Sequence, residues 1–150
     1  MEPAPILLVE DEPDDVRFVE RALQRAQLDN PLIVVSTVRD AKTACTANGT
    51  PVMVLLDIYL QGTEGGLDFL AWLRGRAKPL GTIPVLILSV STDERHRTQS
   101  AALQSALFLG KPATEEVLVD AITAFGLVRT TEIRGGKRRR WLTSREQGGE

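Results

Sequence analysis

A chain of 150 residues, 43% hydrophobic and 25% charged, has enough apolar material for one domain with a sizeable core and too little for two. A single cysteine, Cys45, excludes an internal disulfide, and no apolar run reaches the length of a membrane span. The formal charge of -2 hides an asymmetry. Residues 1–126 carry -6 and residues 127–150 carry +4, which sets off a C-terminal basic extension from the body of the chain. Acids rather than a basic, signal-like region follow the N-terminus, so the expected location is cytoplasmic, with no membrane partner.

Ile6 to Val9 reads as a short apolar strand that runs into Glu10, Asp11, Glu12, Pro13, Asp14 and Asp15. Pro13 suits the first helical turn, where a missing N–H is no loss, and the acids complement the positive helix end. A helix is predicted from Asp14 to Ala26, with Val16, Val19, Leu23 and Ala26 on one stripe. Asn30-Pro31 breaks the chain before a second strand, Leu32 to Ser36. Ala41, Ala44 and Cys45 mark a helix that Asn48-Gly49 stops in the left-handed conformation.

The next stretch, Pro51 to Leu60, organises the rest. An unbroken apolar run from Val52 ends on Asp57, the pattern of a central parallel strand with a polar group at its C-terminal tip. A carboxylate there faces the crevice in which open α/β sheets bind ligands. It can act as metal ligand, general base or nucleophile, or merely cap a turn.

Gln61 to Gly66 reads as a loop, and Leu67 to Leu73 as a helix with Phe69, Leu70 and Leu73 inward. Ile83 to Leu88 is a buried strand ending on Ser89. Ser91 or Thr92 can cap a polar helix from Asp93 to Leu103. Leu107 to Leu109 is a last short strand before Gly110, Lys111 and Pro112. Val117, Leu118, Ala121, Ile122 and Phe125 give an amphipathic helix that Gly126 ends. Strand and helix alternate five times, which predicts an α/β fold: a five-stranded, doubly wound parallel sheet with helices on both faces. Glycine-rich dinucleotide and P-loop signatures are absent.

Four strands end in polar chemistry: Glu10 with Asp11, then Asp57, Ser89 and Lys111. Parallel strands bring these ends to one sheet edge, although each residue alone has an ordinary structural explanation. Carboxylates without histidine or thiol suit a hard cation, and Mg2+ is the usual choice where phosphate is handled. A lysine and a hydroxyl suit phosphate oxygens.

Over Pro5 to Phe125 these residues resemble the receiver domain of two-component response regulators, a flavodoxin-like fold. The motifs that carry the likeness are Leu7 to Pro13, Leu55 to Leu60, Ile83 to Ser89, and Gly110 to Pro112. The resemblance implies that Asp57 is the phosphoacceptor and Asp11 the direct Mg2+ ligand, with Glu10 acting largely through water. The Tyr59 backbone carbonyl completes the metal sphere in that family. Ser89 and Lys111 would hold phosphoryl oxygens, and Ser89 with Phe108 would form the switch. The Lys111-Pro112 bond is expected to be cis. The likeness extends to small stand-alone regulators of bacterial phytochrome kinases, which implies a sensor histidine kinase of the bacteriophytochrome type as partner. Gln61, a one-residue insertion at Gly65-Gly66, and Gln104-Ser105 depart from the family pattern without touching the proposed chemistry.

Two other classes compete. A haloacid-dehalogenase-like phosphatase also uses a strand-end aspartate, Mg2+, a hydroxyl and a lysine, but it wants a second acid where this chain has Tyr59. A receiver-derived interaction module would keep the fold without the phosphoryl chemistry. Nucleic-acid binding through Lys137 to Arg140 is disfavoured by a pI of about 5.5 and the lack of a reading helix. The tail, Val128 to Arg134, Gly135-Gly136, then Lys137 to Leu142, reads as a β-hairpin with Glu132 opposite Arg139 and Thr130 opposite Trp141. Such a hairpin needs a surface, which its own domain or a partner could supply; a second copy is the favoured source, giving a homodimer held by the last helix and the tail.

Overall fold

The computed structural model describes residues 3–47, 49–60, 65–89, 106–111, 113–124 and 128–143. Five parallel strands, β1 (Ile6–Val9), β2 (Leu32–Val35), β3 (Met53–Leu56), β4 (Val85–Ser89) and β5 (Ala106–Gly110), form one sheet in the order β2-β1-β3-β4-β5. Helices α1 (Pro13–Arg25), α2 (Val38–Ala47), α3 (Gly65–Arg74) and α4 (Glu115–Thr123) cover its two faces. The doubly wound α/β architecture read from the alternation is the one observed. No described helix is long and apolar enough to cross a membrane.

Strand side chains alternate between the faces, so the central strands read as continuous apolar runs and feed two cores. Ile6, Leu8, Met53, Leu55 and Leu86 pack with Val19, Ala22 and Leu23 of α1 and Leu118 and Ile122 of α4. Leu7, Val54, Leu56, Val85 and Ile87 pack with Ala41 and Cys45 of α2 and Phe69, Leu70 and Leu73 of α3. Arg21–Glu115 and Arg25–Glu116 ion pairs tie α1 to α4 at 3.2 and 2.7 Å.

Helix ends follow local chemistry. Glu12 caps α1 by accepting from the Asp14 N–H, and Pro13 occupies the first turn. Thr114 caps α4 by accepting from the Val117 N–H at 3.1 Å. Gly49 takes the expected left-handed conformation at φ +81°. Helix α3 begins at Gly65, two residues before the predicted start, so Gly65 and Gly66 are helical rather than part of the loop. The predicted helix from Asp93 to Leu103, Phe125, Gly126 and the bond to Pro112 lie outside the described residues; the cis peptide found among those described is Lys78-Pro79.

Strands β6 (Val128–Arg134) and β7 (Lys137–Thr143) form the antiparallel hairpin, in the predicted register, with Glu132 opposite Arg139 and Thr130 opposite Trp141. Gly135 and Gly136 take φ +59° and +79°, as a tight two-residue hairpin turn requires. Its supporting surface differs from the expectation, because the chain's own domain supplies it. The Asn30 carboxamide grips Leu142 from both sides, its Oδ1 accepting from the Leu142 N–H at 2.7 Å while its Nδ2 donates to the Leu142 carbonyl at 3.0 Å. Asp29 does the same for Arg140, through its backbone N–H at 2.6 Å and its carboxylate at 2.7 Å. Leu142 joins the α1/α4 core, and Trp141 is buried.

Candidate functional site at the sheet edge

Backbone hydrogen bonds carry the sheet ladder one residue past three strands, and this places the polar groups. The Glu10 N–H donates to the Val35 carbonyl at 2.9 Å, the Asp57 N–H to the Val9 carbonyl at 3.0 Å, and the Lys111 N–H to the Ser89 carbonyl at 2.8 Å. The apolar runs thus end at a common edge with their next side chains held in register.

Glu10 is 2% exposed, and its Oε1 accepts from the Asp11 and Glu12 N–H groups, both at 3.2 Å. Its other oxygen takes the Lys111 Nζ at 3.0 Å. Asp57 is buried, with Oδ1 accepting from the Tyr59 N–H at 3.1 Å and Oδ2 at 3.6 Å from the Lys111 Nζ. One carboxylate oxygen each from Glu10, Asp11 and Asp57 lies within 4.8 Å of the others, and Asp11 is exposed, which leaves the group open on its side. Ser89 is fully buried at the end of β4, paired in register with Gly110. Phe108 is half-buried on β5, and it and Tyr59 pack against the α2/α3 core. Glu10, Asp11, Asp57 and Lys111 therefore meet in space as their strand-end positions predict, and Ser89 adjoins them through its backbone.

A participant that sequence reasoning missed is Asp15, whose Oδ2 takes the Lys111 Nζ at 2.8 Å. It had counted only as one of several acids favouring a helix start. No local signal marked it, because Asp11 precedes the helix and helical spacing does not relate the two.

The carboxylates of Glu10, Asp15 and Asp57 face Lys111, Asp11 lies beside Glu10 and Asp57, and the crowding shows in Glu10, Asp57 and Lys111. Burial pushes Glu10 from 4.5 up to about 7, the Asp57 charge adds to this, and Lys111 opposes it. Burial also raises Asp57, against Lys111 and the Tyr59 N–H. For Lys111 burial works against the charge, but the hydrogen bonds to Asp15 and Glu10 outweigh it and hold the ammonium above its ordinary value. An all-oxygen donor set with surplus negative charge fits a hard divalent cation.

The Glu10 shift has a measurable sign. Its stability contribution is complete below about 4.5 and is lost as pH rises through about 7, because the fold favours the protonated carboxyl. The melting temperature in chelator is expected to fall across that window, and Glu10→Gln to flatten the fall. An equally steep fall in the variant would assign the dependence to other groups.

Residues 6–123 match the family described as the response regulator receiver domain. The transcriptional regulatory protein GltR of Pseudomonas aeruginosa is 30% identical over 133 residues, covering 87% of this chain and 52% of that protein. The chain thus spans about half the length of that curated relative. Among solved structures, the bacteriophytochrome response regulator RtBRR is similar at a TM-score of 0.75 and 31% identity, over 91% of this chain and 86% of that one. The Mn(2+)-bound form of the response regulator Rcp1 gives 0.68 and 28%, over 81% and 91%. The family match runs from the first residue of β1 to the last of α4 and leaves only the hairpin, among the described elements, outside it; the chain belongs to the response regulator receiver domain family.

Proposed function

We propose that Asp57 is the phosphoacceptor of this two-component receiver and that the donor is a phosphohistidine on a partner histidine kinase. The observation that carries this reading is the state of the Asp57 carboxylate. One oxygen is held by the Tyr59 N–H, while the other lies beyond hydrogen-bond reach of Lys111, at 3.6 Å, beside Glu10 and Asp11. In the transfer a bond forms from an Asp57 oxygen to phosphorus as the P–N bond of the donor breaks. The imidazole leaves with the electron pair and takes up a proton. A carboxylate is a weak nucleophile towards an anionic phosphoryl group, so alignment and positive charge decide the rate.

Glu10, Asp11 and Asp57, with the Tyr59 backbone carbonyl, would hold Mg2+, which supplies charge neutralisation at the phosphoryl oxygens. That Rcp1 is found with Mn2+ supports a divalent ion here. Lys111 and Ser89 would bind the phosphoryl oxygens. Ser89, drawn toward the new group, would vacate space for Phe108, and this alters the surface around β5. The chain is then no enzyme beyond its own aspartyl phosphorylation and dephosphorylation. Tyr59 stands where a phosphatase of the rival class needs an acid.

Incubation with a small acyl phosphate and Mg2+ should add the mass of one phosphoryl group to the wild type and none to Asp57→Asn. An unchanged wild type would favour the interaction module, and labelling that survives Asp57→Asn would move the acceptor elsewhere.

The similarity to RtBRR supports a bacteriophytochrome-type kinase as the partner, and a cytoplasmic location accompanies that pairing. We take residues 1–126 as the receiver unit and residues 127–150 as a basic extension that mediates a homodimer. The hairpin lies on its own unit through Trp141 and Leu142 but keeps Ile133 71% exposed, and the extension carries +4 against -6 on the unit; both support contact between its outer face and a second copy. Sedimentation should give twice the 16.4 kDa chain mass, reverting to one when the arm is removed after Gly126. A dimer that survives removal would place the interface elsewhere.

A further inference from the structure

We propose that Asp15 is a positioning residue for Lys111: it holds the ammonium aside while Asp57 is bare and gives it up when Asp57 carries a phosphoryl group. The proposal rests on the reading of Asp57 as phosphoacceptor. An ammonium has three donors and no acceptor. Two of the Lys111 donors are committed, at 2.8 Å to Asp15 and 3.0 Å to Glu10, and the 3.6 Å to Asp57 Oδ2 is an ion pair without a hydrogen bond. The lysine that should meet the phosphoryl group is parked on other carboxylates.

The two partners are not equivalent. Glu10 is 2% exposed, follows β1 directly and is pinned by two backbone N–H groups, so it stays where it is. Asp15 sits in the first turn of α1 with its side chain 35% exposed, and among the described residues no backbone N–H donates to its carboxylate. Water can replace Lys111 there at little cost, and the positive end of α1 continues to stabilise the charge. The Lys111–Glu10 contact is therefore the pivot and the Asp15 contact the end that lets go.

The charges set the direction of exchange. Phosphorylation converts a single carboxylate charge into roughly -1.5 to -2 and adds acceptor oxygens, which outbids the half-exposed Asp15 for the third and second donors of the ammonium. The unphosphorylated state is stabilised by a contact that the phosphorylated state must break, so Asp15 opposes phosphorylation.

A double-mutant cycle tests this, with acyl-phosphate labelling in Mg2+ followed by intact mass. Asp15→Asn should accelerate labelling of Asp57 by about twofold to fivefold, the size of a partly exposed ion pair. Asp15→Glu should restore a rate close to that of the wild type. In a Lys111→Met background the acceleration should vanish, because Asp15 acts through the lysine. An unchanged or slower Asp15→Asn overturns the proposal, as does an equal acceleration in Lys111→Met, which would mean that Asp15 merely repels the donor.

If Lys111→Met takes too little label to time, the Lys111 ammonium nitrogen signal in heteronuclear NMR decides. Asp15→Asn should shift it in the unphosphorylated protein and leave it near the wild-type position in the phosphorylated one; no shift in the first state overturns the proposal. A wild type that takes no label, or label retained in Asp57→Asn, is a failure of the phosphoacceptor reading. A labelled wild type with no effect at Asp15 is a failure of the positioning role alone.

Discussion

Gly66→Ala should destabilise the protein by about 2–4 kcal/mol and abolish phosphorylation of Asp57, although position 66 carries no chemistry of its own. A Cβ built at Gly66 lies 2.2 Å from the Asp57 carbonyl oxygen, 2.7 Å from the Ile58 Cα and 2.9 Å from the Ile58 carbonyl oxygen. All three are backbone atoms, so no side chain can rotate away to admit the methyl group. The Gly66 N–H also donates to the Ile58 carbonyl at 2.9 Å, which draws the start of α3 onto the segment that follows Asp57. The methyl group must push that segment, and Asp57 and the Tyr59 N–H it accepts from move with it. Gly75→Ala is the control, because its nearest neighbour would be the Trp72 carbonyl oxygen at 3.4 Å. Denaturant unfolding and acyl-phosphate labelling of the two variants should separate them clearly. Equal stability and equal labelling would mean that α3 shifts freely.

The second large effect is expected at the hairpin. Asn30→Leu should lower stability by about 3 kcal/mol and open the arm to trypsin at Lys137 to Arg140. Asn30 is 7% exposed, and its carboxamide makes three hydrogen bonds, two to Leu142 and one from Nδ2 to the Ala4 carbonyl at 2.9 Å. Leucine fills much of the same volume and satisfies none of them. A buried polar group left without its partner costs about 1–3 kcal/mol, and three are left at once, with some relief as the hairpin lifts into water. Lifting it also withdraws Leu142 from the core. Asp29→Ala is the milder companion. Its carboxylate bond to the Arg140 N–H is exposed, and solvent can replace it. Resistance of Asn30→Leu to trypsin, with unchanged unfolding, would show that burial of Trp141 and Leu142 holds the arm without the amide.

The fold and the outline of the site were legible because they depend on local signals. Apolar runs that stop at Glu10, Asp57, Ser89 and Lys111 name both the strands and the edge where they end. The alternating arms around Gly135-Gly136 gave the hairpin register, since a two-residue turn leaves only one way to pair them. What stayed hidden depends on separation along the chain. Nothing local to Asn30 says that its amide will meet Leu142, 112 residues on, so the surface under the hairpin was assigned to another molecule. Asp15 was counted as a helix-start acid because its contact with Lys111 spans 96 residues. Gly66 reads in the sequence as the end of a loop, whereas its value is the space that a missing Cβ leaves against Asp57.

The arm and the chemistry stand at opposite poles of the sheet. Asp29 and Asn30 precede β2 and Ala4 precedes β1, while Glu10 and Asp57 follow β1 and β3, all in parallel strands. Helix α1 runs from one pole to the other, about 20 Å for its 13 residues. A donor that covers the Asp57 mouth therefore leaves the hairpin in view, and two bodies can share one copy of this protein without competing for footing.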